Sequence, residues 1–163
     1  MGAILTPANE VYPRIYVGNY KASQNAEWIR AKNITVIVNS TKDLRFLDDV
    51  NIPVKYRYRV PVDDNLEDDE IQNLAQWAPE AVYRIIQHWK CGETILIHCA
   101  AGMQRSAAIA AMVVYVLEGY THPAETIQHI KRKRPIAFLP SAYFKRAIYQ
   151  FAPYYDSVRV QSK

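Results

Sequence analysis

"ILIHCAAGMQRSAAIAAMVVY", residues 95–115, passes from an apolar tetrad through a short polar loop into a long apolar run. The stretch "ETILIHC" (93–99) reads as a buried strand, and Arg105 to Glu118 reads as a buried helix ended by Gly119. A strand feeding a helix in this way is the building unit of an α/β sheet. The flanks repeat it. Upstream, "ITVIVNS" (34–40) is almost wholly apolar and β-branched, as expected of a strand covered on both faces. "RIYVGNY" (14–20) is a shorter strand followed by helical spacing from Ala22 to Lys32, and "VKYRYRVPV" (54–62) alternates apolar with basic residues, which predicts a half-exposed strand near a sheet edge. Apolar residues recur at helical spacing from Asp69 to Lys90, where Pro79 predicts a kink or two abutting helices. Further helices are expected from Pro123 to Lys133 and from Ser141 to Phe151, with a frayed tail at "DSVRVQSK". The fold class is therefore α/β, a central, mostly parallel sheet flanked by helices.

The chain has 163 residues, half of them hydrophobic, enough for a single domain with a sizeable core. Its formal charge of +4 favours anionic partners such as phosphorylated proteins or nucleic acid. The longest apolar run, Ala107 to Leu117, is about half the roughly 20 residues needed to span a bilayer, so no stable membrane insertion is expected. "MGAILT" at the start fits the acceptor pattern for a myristoyl group on Gly2. Cys91 and Cys99 are the only cysteines, which argues against a disulfide framework and for an intracellular, cytoplasmic setting. His88, His122 and His129 show no metal-ligand spacing among themselves or with cysteine, so no metal or other cofactor is expected. "KRKR" (131–134) reads as a solvated helix end, where cations suit the dipole.

The loop after the strand gathers backbone N–H groups around one point, with the positive end of the helix dipole behind them. Such a loop cradles an anion. Ala100, Ala101 and Gly102 add little bulk, and Arg105 can offer a planar fork to two phosphate oxygens. Cys99 opens the cradle and feels the same field, which favours a nucleophilic thiolate. Nucleophile, oxyanion donors and cation together describe phosphoryl transfer to sulfur.

"HCAAGMQRS" (98–106) resembles the His-Cys-x5-Arg-Ser/Thr signature of the cysteine-dependent protein tyrosine phosphatase superfamily. "YPRIYVGNY", "NITVIVNST", "VPVDD" and "RPIAFLPSAYF" fall in the order and at about the intervals seen in small dual-specificity phosphatases, over roughly residues 11–152 of one domain spanning 1–163. The wording of "YVGNYK" and "HCAAG" resembles poxvirus members. The resemblance implies that Cys99 attacks the phosphorus and becomes a phosphocysteine, while Arg105 binds phosphate oxygens and stabilises the transition state. The backbone of Ala100, Ala101, Gly102, Met103, Gln104 and Arg105 would complete the cradle. Ser106 would hydrogen-bond the thiolate and ease breakdown of the intermediate, and His98 would orient the loop and help hold the thiolate. The general acid would come from "VPVDDNLEDDEIQ" (60–72), where Asp64 aligns and Asp63 is the alternative. Many relatives carry an asparagine after the proline matched by Pro140; this chain has Ser141, so that amide's contacts near the active loop must be made otherwise.

The implied reaction is removal of phosphate from phosphotyrosine and phosphoserine or phosphothreonine in proteins. Ala100, Ala101, Met103 and Gln104 are uncharged, whereas relatives that act on phosphoinositides tend to place lysines in this loop. An RNA 5′-phosphatase is the alternative, although that branch usually has Arg-Thr-Gly where this chain has Arg105, Ser106 and Ala107. A non-catalytic phosphoprotein-binding module would ordinarily have lost the cysteine or the arginine, and both are present.

Overall fold

In the computed structural model, which describes residues 6–161, the strands are β1 (Ala8–Tyr12), β2 (Ile15–Gly18), β3 (Val36–Asn39), β4 (Tyr56–Arg59) and β5 (Ile95–His98). The helices are α1 (Tyr20–Ser23), α2 (Ala26–Ala31), α3 (Asp68–Lys90), α4 (Arg105–Glu118), α5 (Pro123–Lys133) and α6 (Lys145–Gln161). The strands form one sheet in the order β1-β2-β5-β3-β4, parallel except for β1, which pairs antiparallel with β2. Every residue of β3 and β5 is buried, the outcome expected of apolar runs in a parallel sheet with both faces covered. β4 is an edge strand, with Tyr56 and Arg57 exposed. β1 has no counterpart in the sequence expectations, because "ANEVY" between two prolines carries no apolar period.

Arg105 through Tyr115 of α4 are all buried, since this helix packs against α3, α5 and α6 as well as β2 and β5. The main core lies on that face of the sheet. Ile29, Ile34, Ile37 and Leu96 form a smaller cluster on the other face, under Trp28 and Tyr16. In register, His98 pairs with Gly18 on one side and Asn39 on the other. Three parallel strands thus end side by side, and the loop after β5 starts at their carboxyl edge, where α/β sheets bind ligands.

Four expectations are corrected. The helix expected over Ala22 to Lys32 is two short helices, because Asn19 and Asn25 each cap a new start: their side chains accept from Ala22 N and Trp28 N, both at 3.0 Å. Of the kink or two abutting helices expected at Pro79, the second is overturned, since α3 is one helical element of 23 residues. The proline removes one donor, while Leu74, Ala78, Ala81, Val82, Ile85 and Ile86 bury the same face on both sides of it. The last helix runs Lys145–Gln161 rather than Ser141 to Phe151, so most of the tail expected to fray is helical. Tyr115 donates to Asp156 at 3.0 Å, and the Tyr155 ring stacks on Phe151, which fastens those turns. "KRKR" is not wholly solvated, since Arg134 is fully buried. Pro135 explains this. A residue before proline is pushed out of the helical region, and Arg134 has φ −134 and ψ 93 at the end of α5.

No helix among the described residues is long and apolar enough to cross a membrane. Gly2, the candidate myristoylation position, lies outside the described residues.

Candidate active site

The loop from Cys99 to Gln104 is held from outside by its carbonyls. Tyr20 N donates to Ala100 O at 3.0 Å, Arg134 Nε to Gly102 O at 2.7 Å and Phe138 N to Met103 O at 2.8 Å. In a planar trans peptide the following N–H points away from the carbonyl, so these anchors turn the N–H groups of Ala101, Met103 and Gln104 to the inner side. Gly102 sits where any side chain would be strained. Its φ is +69, and a Cβ there would lie 2.6 Å from the Gly18 carbonyl carbon and 2.8 Å from Arg134 Nη2. Gln104, the residue before α4, gives the helix no side-chain cap, which leaves first-turn N–H groups free for an anion.

Cys99 is buried at the start of this ring, and its Sγ lies 3.1 Å from Ser106 Oγ. Arg105 reaches across to donate from Nη1 to Val62 O at 2.9 Å, while its buried Nε has no partner among the described residues. An unpaired guanidinium N–H in a ring of amides is a free donor, suited to a phosphate oxygen. His98 is fully buried, with Nδ1 3.4 Å from Cys99 O. Burial pushes its pKa down to about 4, against the Cys99 carbonyl bond and with help from Arg59 and Arg105. The imidazole is therefore neutral at neutral pH and supports the loop without contributing charge to the thiolate.

That burial has a consequence for stability. The unfolded chain binds a proton on His98 near pH 6.5, whereas the folded chain does so only near 4. His98 thus favours folding fully above the unfolded value, and this contribution is lost as pH falls, on the order of 3 kcal/mol by pH 4. Urea unfolding at pH 7 and pH 4.5 measures it. The drop should shrink in His98→Asn, and an equal drop in both proteins would refute the assignment.

The two candidate acids part company in the structure. Asp63 sits 3.5 Å from Lys42, which also pairs with the buried carboxylate of Glu70 at 2.7 Å. Glu70 accepts from Asn73 Nδ2, which in turn donates to Pro61 O at 2.9 Å, so this cluster ties the loop to the start of α3. Among the described residues Asp64 has no such ion-pair partner. It lies on an exposed stretch, yet enough protein surrounds its carboxyl for desolvation to raise its pKa, against the opposing charge of Arg105. A carboxyl near the Arg105 guanidinium with a raised pKa is what a general acid requires.

Gln104 answers the departure at Ser141. Its Nε2 donates to Leu139 O at 3.0 Å and Ser141 O at 2.8 Å, and its Oε1 accepts from Tyr143 N at 3.0 Å. The amide linking the loop to residues 139–143 therefore comes from the loop itself. This use of Gln104, the Lys42–Glu70 cluster and the buried Arg134 were not found from sequence. The one available signal was Pro135, which pulls Arg134 out of step with the solvated face of its helix.

A thiol in a ring of inward amides, at the carboxyl edge of a parallel sheet and the start of a buried helix, defines a cysteine-phosphatase type of fold and site. Residues 15–153 match the family "Dual specificity phosphatase, catalytic domain", and the chain belongs to that family. Dual specificity protein phosphatase 1 of Arabidopsis thaliana is 31% identical over 134 residues, covering 82% of this chain and 63% of the plant protein. The chain spans less of other curated relatives, 19% of the Slingshot homolog of Xenopus laevis, to which it is 28% identical. Human DUSP28 shares the fold with a TM-score of 0.78 and 21% identity, over 92% of this chain and 95% of that one.

Proposed function

We propose that this chain hydrolyses phosphotyrosine and phosphoserine or phosphothreonine in proteins through a phosphocysteine intermediate. The observation that carries the reading is the buried Cys99 Sγ beside Ser106 Oγ, together with the unpaired Arg105 Nε, inside a loop whose carbonyls at Ala100, Gly102 and Met103 are drawn outward. The Cys99 thiolate attacks phosphorus, the P–O bond to the substrate side chain breaks, and Asp64 gives its proton to the leaving oxygen. Water then attacks the phosphocysteine, Asp64 takes its proton, and the P–S bond breaks to return the thiolate, to which Ser106 donates. Arg105 and the loop amides hold the equatorial oxygens through both steps. Uncharged side chains at Ala100, Ala101, Met103 and Gln104 suit a single phosphate better than a polyphosphorylated ligand. A thiolate nucleophile is oxidised readily, which favours a reducing intracellular compartment.

The test is phosphate release from one peptide carrying phosphothreonine and phosphotyrosine, beside 5′-triphosphorylated RNA and a phosphoinositide. Release from both phosphoresidues supports the reading. Turnover of RNA or lipid alone would replace it.

A further inference from the structure

The geometry points to Arg134 as a positioning residue of the cradle: from behind the loop it draws the Gly102 carbonyl outward, turns the Met103 N–H inward, and supplies a positive charge that favours the Cys99 thiolate and a bound phosphate. The inference deepens the phosphatase reading and rests on it for its effect on turnover. Arg134 is fully buried and heads the fully buried side chains by volume. Among the described residues its guanidinium meets only neutral acceptors: Gly102 O at 2.7 Å, Thr6 O at 3.0 Å and Asn9 Oδ1 at 2.7 Å. Among the described residues Nη2 has no partner and no carboxylate forms an ion pair with the guanidinium.

Burying a cation without an anion is costly, and such a charge persists where the working state brings an anion close. The anions of this site are the Cys99 thiolate and the substrate phosphate. Burial lowers the Arg134 pKa to about 10, and the charge of Cys99 opposes that shift, so the two groups feel each other and Arg134 stays cationic at neutral pH. Other sources of positive charge are few. His98 of β5 is neutral, Arg59 of β4 is engaged by Thr41 O and Leu44 O, Arg105 of α4 faces the front of the cradle and holds Val62 O, and Asp64 from the loop before α3 adds negative charge. Arg132 and Lys133 of α5 are exposed to solvent. The close approach of Gly102 to Gly18 and to Arg134 Nη2 leaves the loop no room to turn its peptide over.

The experiment uses the full chain with the exposed Cys91 changed to serine, so that Cys99 is the sole thiol. Iodoacetamide alkylation is followed against pH, and kcat/KM is measured on p-nitrophenyl phosphate at pH 6. Asn9→Asp is the decisive variant: it keeps the shape and gives Arg134 a carboxylate in place of the Asn9 amide oxygen, cancelling its field without removing it. The alkylation midpoint should rise by about one pH unit, the scale of a neighbouring charge. A merely structural Arg134 would instead be held more firmly, with the midpoint unchanged, and that result overturns the electrostatic role. Arg134→Lys keeps the charge and loses the fork to Gly102; kcat/KM should fall roughly tenfold with the midpoint near the parent value. Unchanged kcat/KM in that variant overturns the orienting role. Both substitutions retain a buried cation, so neither depends on the survival of an Arg134→Met fold. Alkylation requires no substrate: a shifted midpoint in a protein without phosphatase activity would sustain the role of Arg134 while the functional reading failed.

Discussion

Cys99→Ser is expected to lower kcat on a phosphopeptide by at least about 10⁴-fold while leaving the peptide bound, because it removes the nucleophile and nothing that holds phosphate. A serine hydroxyl in the same field stays protonated at neutral pH, and the nearest groups give it no base: Ser106 is itself a hydroxyl donor, and His98 is buried below the loop with its contact to Cys99 O. The cradle depends on other atoms. Ala100 O, Gly102 O and Met103 O keep their outside partners, and Arg105 keeps Val62, so the inward amides remain in place. A neutral hydroxyl also removes the repulsion between a thiolate and a phosphate dianion, so the dissociation constant should stay within a few fold or improve. Phosphate release and isothermal titration with one peptide measure the two quantities separately. Turnover comparable to the parent would eliminate the phosphocysteine route, and loss of binding along with turnover would place Cys99 in the cradle's structure instead.

What could be read in advance follows the range of the interactions involved. Strand β5, the loop and α4 are contiguous, so composition and period within one stretch were sufficient to expect these elements. The edge position of β4 was expected from its alternation of tyrosine and arginine, yet its exposure follows position along the strand, with Tyr56 and Arg57 exposed and Tyr58 and Arg59 half-buried. Positions set by distant partners were not accessible. Arg134 meets Gly102 across 32 positions and Thr6 across 128, and a run of four basic residues gives no sign that the last one turns inward. Gln104 looked like a loop residue of no special chemistry, yet its amide meets three backbone groups between residues 139 and 143. Adjacent carboxylates at Asp63 and Asp64 are chemically identical as side chains; Lys42, brought over from the segment after β3 to Asp63, and the desolvation of the Asp64 carboxyl near Arg105 tell them apart.

That distinction gives the second large effect. Asp64→Asn should lower kcat for an alkyl phosphate such as phosphothreonine by about 10²- to 10³-fold, within the range of general acid catalysis, since an amide has no proton to give the leaving oxygen. Asp63→Asn should change kcat by no more than about twofold, because it removes one exposed ion pair with Lys42 while Glu70 keeps its own. The leaving group tests the chemistry. A nitrophenolate departs without protonation, so Asp64→Asn should lose much less on p-nitrophenyl phosphate than on phosphothreonine. The pH dependence carries the same sign. Asp64 must be protonated to act, and desolvation raises its pKa, so parent kcat should fall as pH rises through that raised value. The variant should lack this alkaline decline. A larger loss in Asp63→Asn than in Asp64→Asn would move the acid to Asp63, and the Lys42–Glu70 cluster would then have to release it before each turnover.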